Sequence, residues 1–132
     1  MKKFMNQFNL NPILRMQFES FVYRVADKMV IDYDGGVWKS KTVGDTVILI
    51  IPYTGMVKLH NHLSGATVET DQVTASAAFT YLVVNWFWNM VAEKISDASN
   101  DAFEKCFYAI RDAAYADDSK IIDKNAFYTF TD

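Results

Sequence analysis

Apolar residues first settle into a helical period at Ile13. Leu14, Phe18, Phe21, Val22, Val25 and Met29 recur at three- and four-residue steps, and this spacing predicts one buried helix face. Arg15, Glu19, Arg24, Asp27 and Lys28 fall largely off that face. Ahead of it, residues 1–12 are polar with scattered aromatics and read as an irregular arm ending at Asn11-Pro12. The helical pattern stops at Tyr33-Asp34-Gly35-Gly36. Paired glycines beside acidic turn residues predict a tight bend there, because glycine reaches positive φ without steric cost.

The period then shortens to two. Val37 to Val43 alternates loosely, and Gly44-Asp45 is a hairpin-length turn. Thr46 to Ile51 is a continuous β-branched and aliphatic run, the pattern of a central strand covered on both faces, and Pro52 ends it. Shorter strands are expected over Met56 to His60 and Ala66 to Glu69. Helical spacing returns after Asp71, an N-cap candidate, and runs nearly all-apolar from about Val73 to Lys94. Ser99 or Asn100 would cap a further helix with the stripe Phe103, Cys106, Phe107, Ile110 and Ala114. The tail from Ile121 to Asp132 reads as a short turn or an edge strand. Trp86 and Trp88 belong to the core by the company they keep. The expected fold is therefore α+β, one domain over residues 1–132. Its mainly antiparallel sheet of three to four strands packs against about three to four helices.

Charge narrows the function. Thirteen Lys and Arg against sixteen Asp and Glu give a net charge of −3. Duplex binding calls for a clustered basic face, and imitation of DNA calls for an almost unbroken acidic one. This chain has neither. Acidic residues do gather after Ser96, with Asp117 and Asp118 among them, but Lys105, Arg111, Lys120 and Lys124 interrupt the run. Lys2 and Lys3 lead into asparagines, not an apolar segment, so no secretory signal is expected. The stretch Phe79 to Ala92 is shorter than the ~20 residues that span a bilayer, so no membrane association is expected. A single cysteine, Cys106, forbids an intrachain disulfide and suits the cytoplasm.

Candidate chemistry is sparse. His60 and His62 sit two apart and would share one face of a strand. A metal there needs a third ligand, with Glu69 and Asp71 the candidates; the competing reading is a solvated strand end. Cys106 lies on an apolar stripe and reads as a small buried hydrophobe. Arg15 and Glu19 are spaced to pair across one helical turn, as ornament or as part of a recognition surface. Trp38, at the mouth of a strand, is either a lid on the core or an exposed anchor for a partner. No phosphate loop, nucleophile elbow or paired-cysteine motif is present, and neither catalysis nor a cofactor is expected.

Taken in order, these landmarks resemble one family. They are the Glu19 helix, Tyr33-Asp34-Gly35-Gly36-Val37-Trp38, the strand ending at Pro52, Thr74-Ala75-Ser76-Ala77-Ala78 opening a long helix, and Tyr108-Ala109-Ile110-Arg111-Asp112. From about Leu10 onward the chain resembles the ArdB/KlcA antirestriction proteins, as a divergent member. Where the family commonly has Ser-Ala-Asp-Ala, this chain has Thr74-Ala75-Ser76-Ala77, and Val30 replaces the usual cysteine. The resemblance implies an α+β protein of bacterial plasmids and other mobile elements that inhibits type I restriction-modification without mimicking DNA. It implies a cytoplasmic monomer or homodimer that meets the restriction complex, or a host protein associated with it, through its surface. On that basis Arg15, Glu19, Tyr33, Gly35, Gly36, Trp38, Thr74, Ser76, Arg111 and Asp112 are the candidate contact residues. A small metal-dependent enzyme using His60 and His62, or a nucleic-acid-binding accessory protein, are the alternatives.

Overall fold

The computed structural model of the chain describes residues 1–116 and 121–132. Asp117, Asp118 and Lys120 of the acidic run lie outside the described residues. The fold is α+β. Helices α1 (Lys2–Asn6) and α2 (Pro12–Met29) come first. A hairpin of β1 (Lys39–Val43) and β2 (Thr46–Ile50) follows, then a second hairpin of β3 (Val57–His60) and β4 (Thr67–Thr70). Helices α3 (Gln72–Val91), α4 (Asp97–Tyr115) and α5 (Lys124–Thr131) complete it, with a 3₁₀ turn at Ala92–Lys94.

Each long helix starts at a side-chain cap. Asn11 accepts from the Leu14 N–H ahead of Pro12, and Asp71 accepts from the Thr74 N–H. Ser96 accepts from the Ser99 N–H, so the cap of α4 stands three residues before Ser99 and four before Asn100, the two expected positions. The face of α2 predicted from spacing is the buried one, with Phe18, Val22, Val25 and Met29 inside.

The strands form two separate two-stranded antiparallel sheets, where one sheet of three to four strands was expected. The register of the first hairpin explains the separation. Val43 opposes Thr46 and Lys41 opposes Ile48, so Val47, Leu49 and Ile51 turn their N–H groups toward the other edge. Side chains occupy that edge. Gln7 Nε2 donates to the Val47 carbonyl at 2.9 Å, and its Oε1 accepts from the Val47 N–H at 3.4 Å. The Leu49 N–H donates to Thr80 Oγ1 at 3.2 Å, and the Ile51 N–H donates to Ser76 Oγ at 2.9 Å. Gln72 Nε2 donates to the carbonyls of Ile51 (2.9 Å) and Tyr53 (3.0 Å). Gln72, Ser76 and Thr80 are spaced four apart on one face of α3, which stands where a third strand would pair. The run Thr46 to Ile51 is largely buried, with Val47 and Ile50 half-buried, but it is not a central strand: among the described residues β1 is its one strand neighbour, and a helix takes the other edge. The other hairpin has its own backbone partner: Val30 bridges to Leu59, and the Ile31 N–H donates to the Lys58 carbonyl at 2.9 Å.

Two segments differ from expectation. The first twelve residues are no irregular arm: α1 forms there, and Phe4, Met5 and Phe8 are fully buried. Phe8 stacks on Phe103 (centroids 4.3 Å apart), and Phe18 stacks on Phe87 (4.4 Å), so α1, α2, α3 and α4 meet in one aromatic cluster. Asparagines between the apolar residues had hidden their i, i+4 spacing. The tail is neither turn nor edge strand but helix α5. Its Phe127 and Phe130 are fully buried, and burial on α3 outweighs the β preference of its aromatic residues. Trp86 and Trp88 line the edge of the core, half-buried. No helix among the described residues is long and apolar enough to cross a membrane.

Candidate interaction surface

Helix α2 presents Glu19 one turn before Tyr23, and the Tyr23 hydroxyl donates to Glu19 Oε1 at 2.8 Å. Partial burial, followed by that hydrogen bond and the carboxylate's charge, pushes the Tyr23 phenol up to about 12. Tyr33 adds to the shift, which places it within electrostatic reach of Tyr23. The expected Arg15–Glu19 pair is not formed. Arg15 reaches the other way, donating to Asn6 Oδ1 at 2.6 Å and to the Lys2 carbonyl at 3.4 Å. Those bonds fasten α1 to α2 and leave Glu19 to the phenol.

The bend after α2 is held by backbone geometry. Gly35 and Gly36 have φ of +93° and +116°, values that side chains rarely adopt. A Cβ at Gly36 would stand 2.9 Å from Pro52 Cβ, so this glycine also permits close approach of the β2 exit. Trp38 resolves to the core. It is 5% exposed, its ring lies 5.4 Å from Phe79, and its Nε1 donates to the Tyr33 hydroxyl at 2.9 Å. An indole so placed offers a partner no contact area, which corrects its assignment as a docking residue. Its neighbour Val37 is 79% exposed and takes the outward position, as alternation at a strand entry requires. Val37 and Tyr23 were both missed as candidates; a Glu-x-x-x-Tyr spacing on a helix and the parity of Val37 against Trp38 were the available signals.

Thr74 and Ser76 are fully buried. The Thr74 hydroxyl accepts from the Asp123 N–H at 2.8 Å, tying the start of α5 to α3, and Ser76 serves β2. Both are therefore framework residues, withdrawn from any partner. Arg111 and Asp112 stand on α4, in a different aromatic patch. The Arg111 guanidinium lies 4.5 Å from the Tyr108 ring centroid and 3.9 Å from Asp112. Nearby Tyr115 stacks on Tyr128 at 4.4 Å, and partial burial with a hydrogen bond to Tyr128 pushes its phenol up to about 12.

The histidines gather no third ligand. Their ring centroids are 6.2 Å apart, and His60 Nδ1 bonds to Thr67 Oγ1 at 2.8 Å. Glu69 faces Lys58 across the hairpin, while Asp71 is held as the α3 cap. Burial raises the Asp71 carboxyl, but hydrogen bonds from Thr74 and Thr70 outweigh it and hold the group below its usual value. No group of three or more His, Cys, Asp or Glu among the described residues could hold a metal ion. The informative residue of His60-Asn61-His62 is the middle one. Asn61 is buried, accepts from the Leu63 and Ser64 N–H groups, and donates to the Phe130 carbonyl at 3.0 Å. Burial pushes the Cys106 thiol up to about 12, despite a hydrogen bond with Thr46, and so disfavours the thiolate.

Neither a protein-family model nor a curated protein sequence matches the chain.

Proposed function

We propose that the protein is a non-enzymatic antirestriction factor. It protects incoming mobile-element DNA in the bacterial cytoplasm by docking on a type I restriction-modification complex, or on a host protein that acts with it. The observation that carries this reading is the construction of the Tyr33-x-Gly-Gly-x-Trp38 element. Trp38 anchors Tyr33 from below, Gly36 lets Pro52 close against the bend, and the Glu19–Tyr23 pair stands on the adjoining helix. The result is a preformed surface of one carboxylate and two phenols, with Val37 exposed on the bend that carries Tyr33. Rigid aromatic side chains next to a fixed charge suit protein recognition, since little side-chain entropy is lost on docking. The near balance of charge supports a protein partner over a phosphate backbone.

Docking therefore works through Glu19, Tyr23, Tyr33 and Val37, with Trp38, Gly35 and Gly36 as their support and Arg15 fixing α1 beneath. Arg111 and Asp112 form a second, separate patch on α4 beside Tyr108. The test is plasmid transformation of a host carrying a type I system. Expression of the chain should raise uptake of unmodified plasmid and leave uptake of premodified plasmid unchanged. Equal restriction with and without the chain contradicts the proposal.

A further inference from the structure

A groove of about 270 Å³ opens between α2, α3 and the turn after β3. Phe21 and Val25, Trp86 and Leu63 supply its apolar lining, and Lys28 and His62 are the remaining side chains. Its polar side chains are the Lys28 ammonium, which only donates, and the His62 imidazole, which can donate through one ring nitrogen. Lys28 has no carboxylate within 4 Å among the described residues. The Trp38 and Trp88 indoles donate to Tyr33 and Asn100, whereas among the described residues no acceptor takes the Trp86 N–H. The Arg24 guanidinium, 5.9 Å from the Phe21 ring centroid, adds positive charge beside the lining. No Asp, Glu, Asn or Gln side chain lines the groove to oppose these groups.

The walls are preformed. Asn61 fixes the turn by accepting from Leu63 and Ser64 and by donating to Phe130. Phe21 rests against the buried Phe87 at 5.8 Å. A groove with fixed walls loses little on closing over a ligand. A cavity of about 150 Å³ takes up one benzene, so this one has room for a single ring and a short chain.

We infer that this groove binds a small carboxylic acid with a compact apolar body. The body lies on Phe21, Val25, Trp86 and Leu63, and the carboxylate meets the Lys28 ammonium with His62 as a second donor. The site is independent of the antirestriction reading and survives its failure.

The experiment is a two-dimensional NMR titration of the full chain with 4-phenylbutanoate, and in parallel with its neutral amide. Saturable shifts should concentrate at the Trp86 indole N–H and at the backbone amides of Lys28 and Leu63. The acid should bind about fivefold more tightly than the amide, the scale of one partly exposed charge contact. Lys28→Met, at an exposed position with no carboxylate partner, should erase that preference while leaving the spectrum dispersed. Leu63→Ser, on a residue 77% exposed, should weaken both ligands. Shifts that fail to saturate or that scatter over the surface overturn the inference. So does equal binding of acid and amide, or a preference that persists in Lys28→Met.

Discussion

Removing the hydroxyls that seal β2 tests the architecture at its least ordinary point. Leu49 and Ile51 are fully buried, so their N–H groups have no water to turn to when Thr80 and Ser76 lose their oxygens. An orphaned buried donor costs about 1–3 kcal/mol. Thr80→Val is nearly isosteric, so the cost there is electrostatic and not a matter of packing. Ser76→Ala gains up to about 0.5 kcal/mol of helix propensity, which offsets part of its loss. The double variant should therefore lose about 2–5 kcal/mol, a large share of the ~5–15 kcal/mol that holds a typical domain together. At several degrees per kcal/mol, its thermal midpoint should fall by roughly 8–20 °C. Urea unfolding followed by far-ultraviolet circular dichroism reads the first quantity. Hydrogen exchange at the Leu49 and Ile51 amides reads the mechanism, since protection should fall at those two sites ahead of Ile48 and Ile50. Single variants within about 0.5 kcal/mol of the parent, with unchanged exchange at both amides, would refute the reasoning.

Three further outcomes are expected. Gly36→Ala should destabilise well beyond Gly35→Ala: both strain a positive φ at about 1–3 kcal/mol, but only the former also drives a Cβ to within 2.9 Å of Pro52; equal midpoints would deny the close approach. Trp38→Ala should cost about 3–5 kcal/mol as a cavity in the core, so any protection it loses should track unfolding; an unchanged midpoint would return the indole to the surface. Tyr23 is a neutral acid in the fold with its pKa raised from 10.0 to about 12, so its contribution is intact below pH 10 and lost as pH climbs toward 12. Tyr23→Phe should flatten the alkaline fall in stability over that window, and Glu19→Gln should bring phenolate absorbance of one tyrosine to lower pH; no change in either would break the Glu19–Tyr23 coupling.

Much of the scaffold was legible because its periods are clean. The α2 face, the Gly44-Asp45 turn and the Asp71 cap each follow from local spacing or turn chemistry. Sheet organisation was not legible. A polar stripe at Gln72, Ser76 and Thr80 looks like ordinary dilution of an apolar helix until the register of β2 shows what it bonds. Helix α1 was hidden by its asparagines, and α5 by aromatics that favour strands in isolation. The site was legible in part. Glycines at 35 and 36 mark the bend by a rule that needs no coordinates, but Trp38 could face either way. Its neighbour Val37 then takes the opposite side. Thr74 and Ser76 carry hydroxyls that suggest a surface, and only packing reveals them as buried.

The surface account stands or falls on Glu19 and Tyr23. Unmodified phage plated on a restricting host should form plaques at least about tenfold more efficiently when the parent chain is expressed. The Glu19→Ala/Tyr23→Ala variant, present at the same soluble level and with a midpoint near the parent's, should return plating to the unprotected baseline. Plating that ignores the parent chain, or a double variant that protects as well as the parent, would contradict the account.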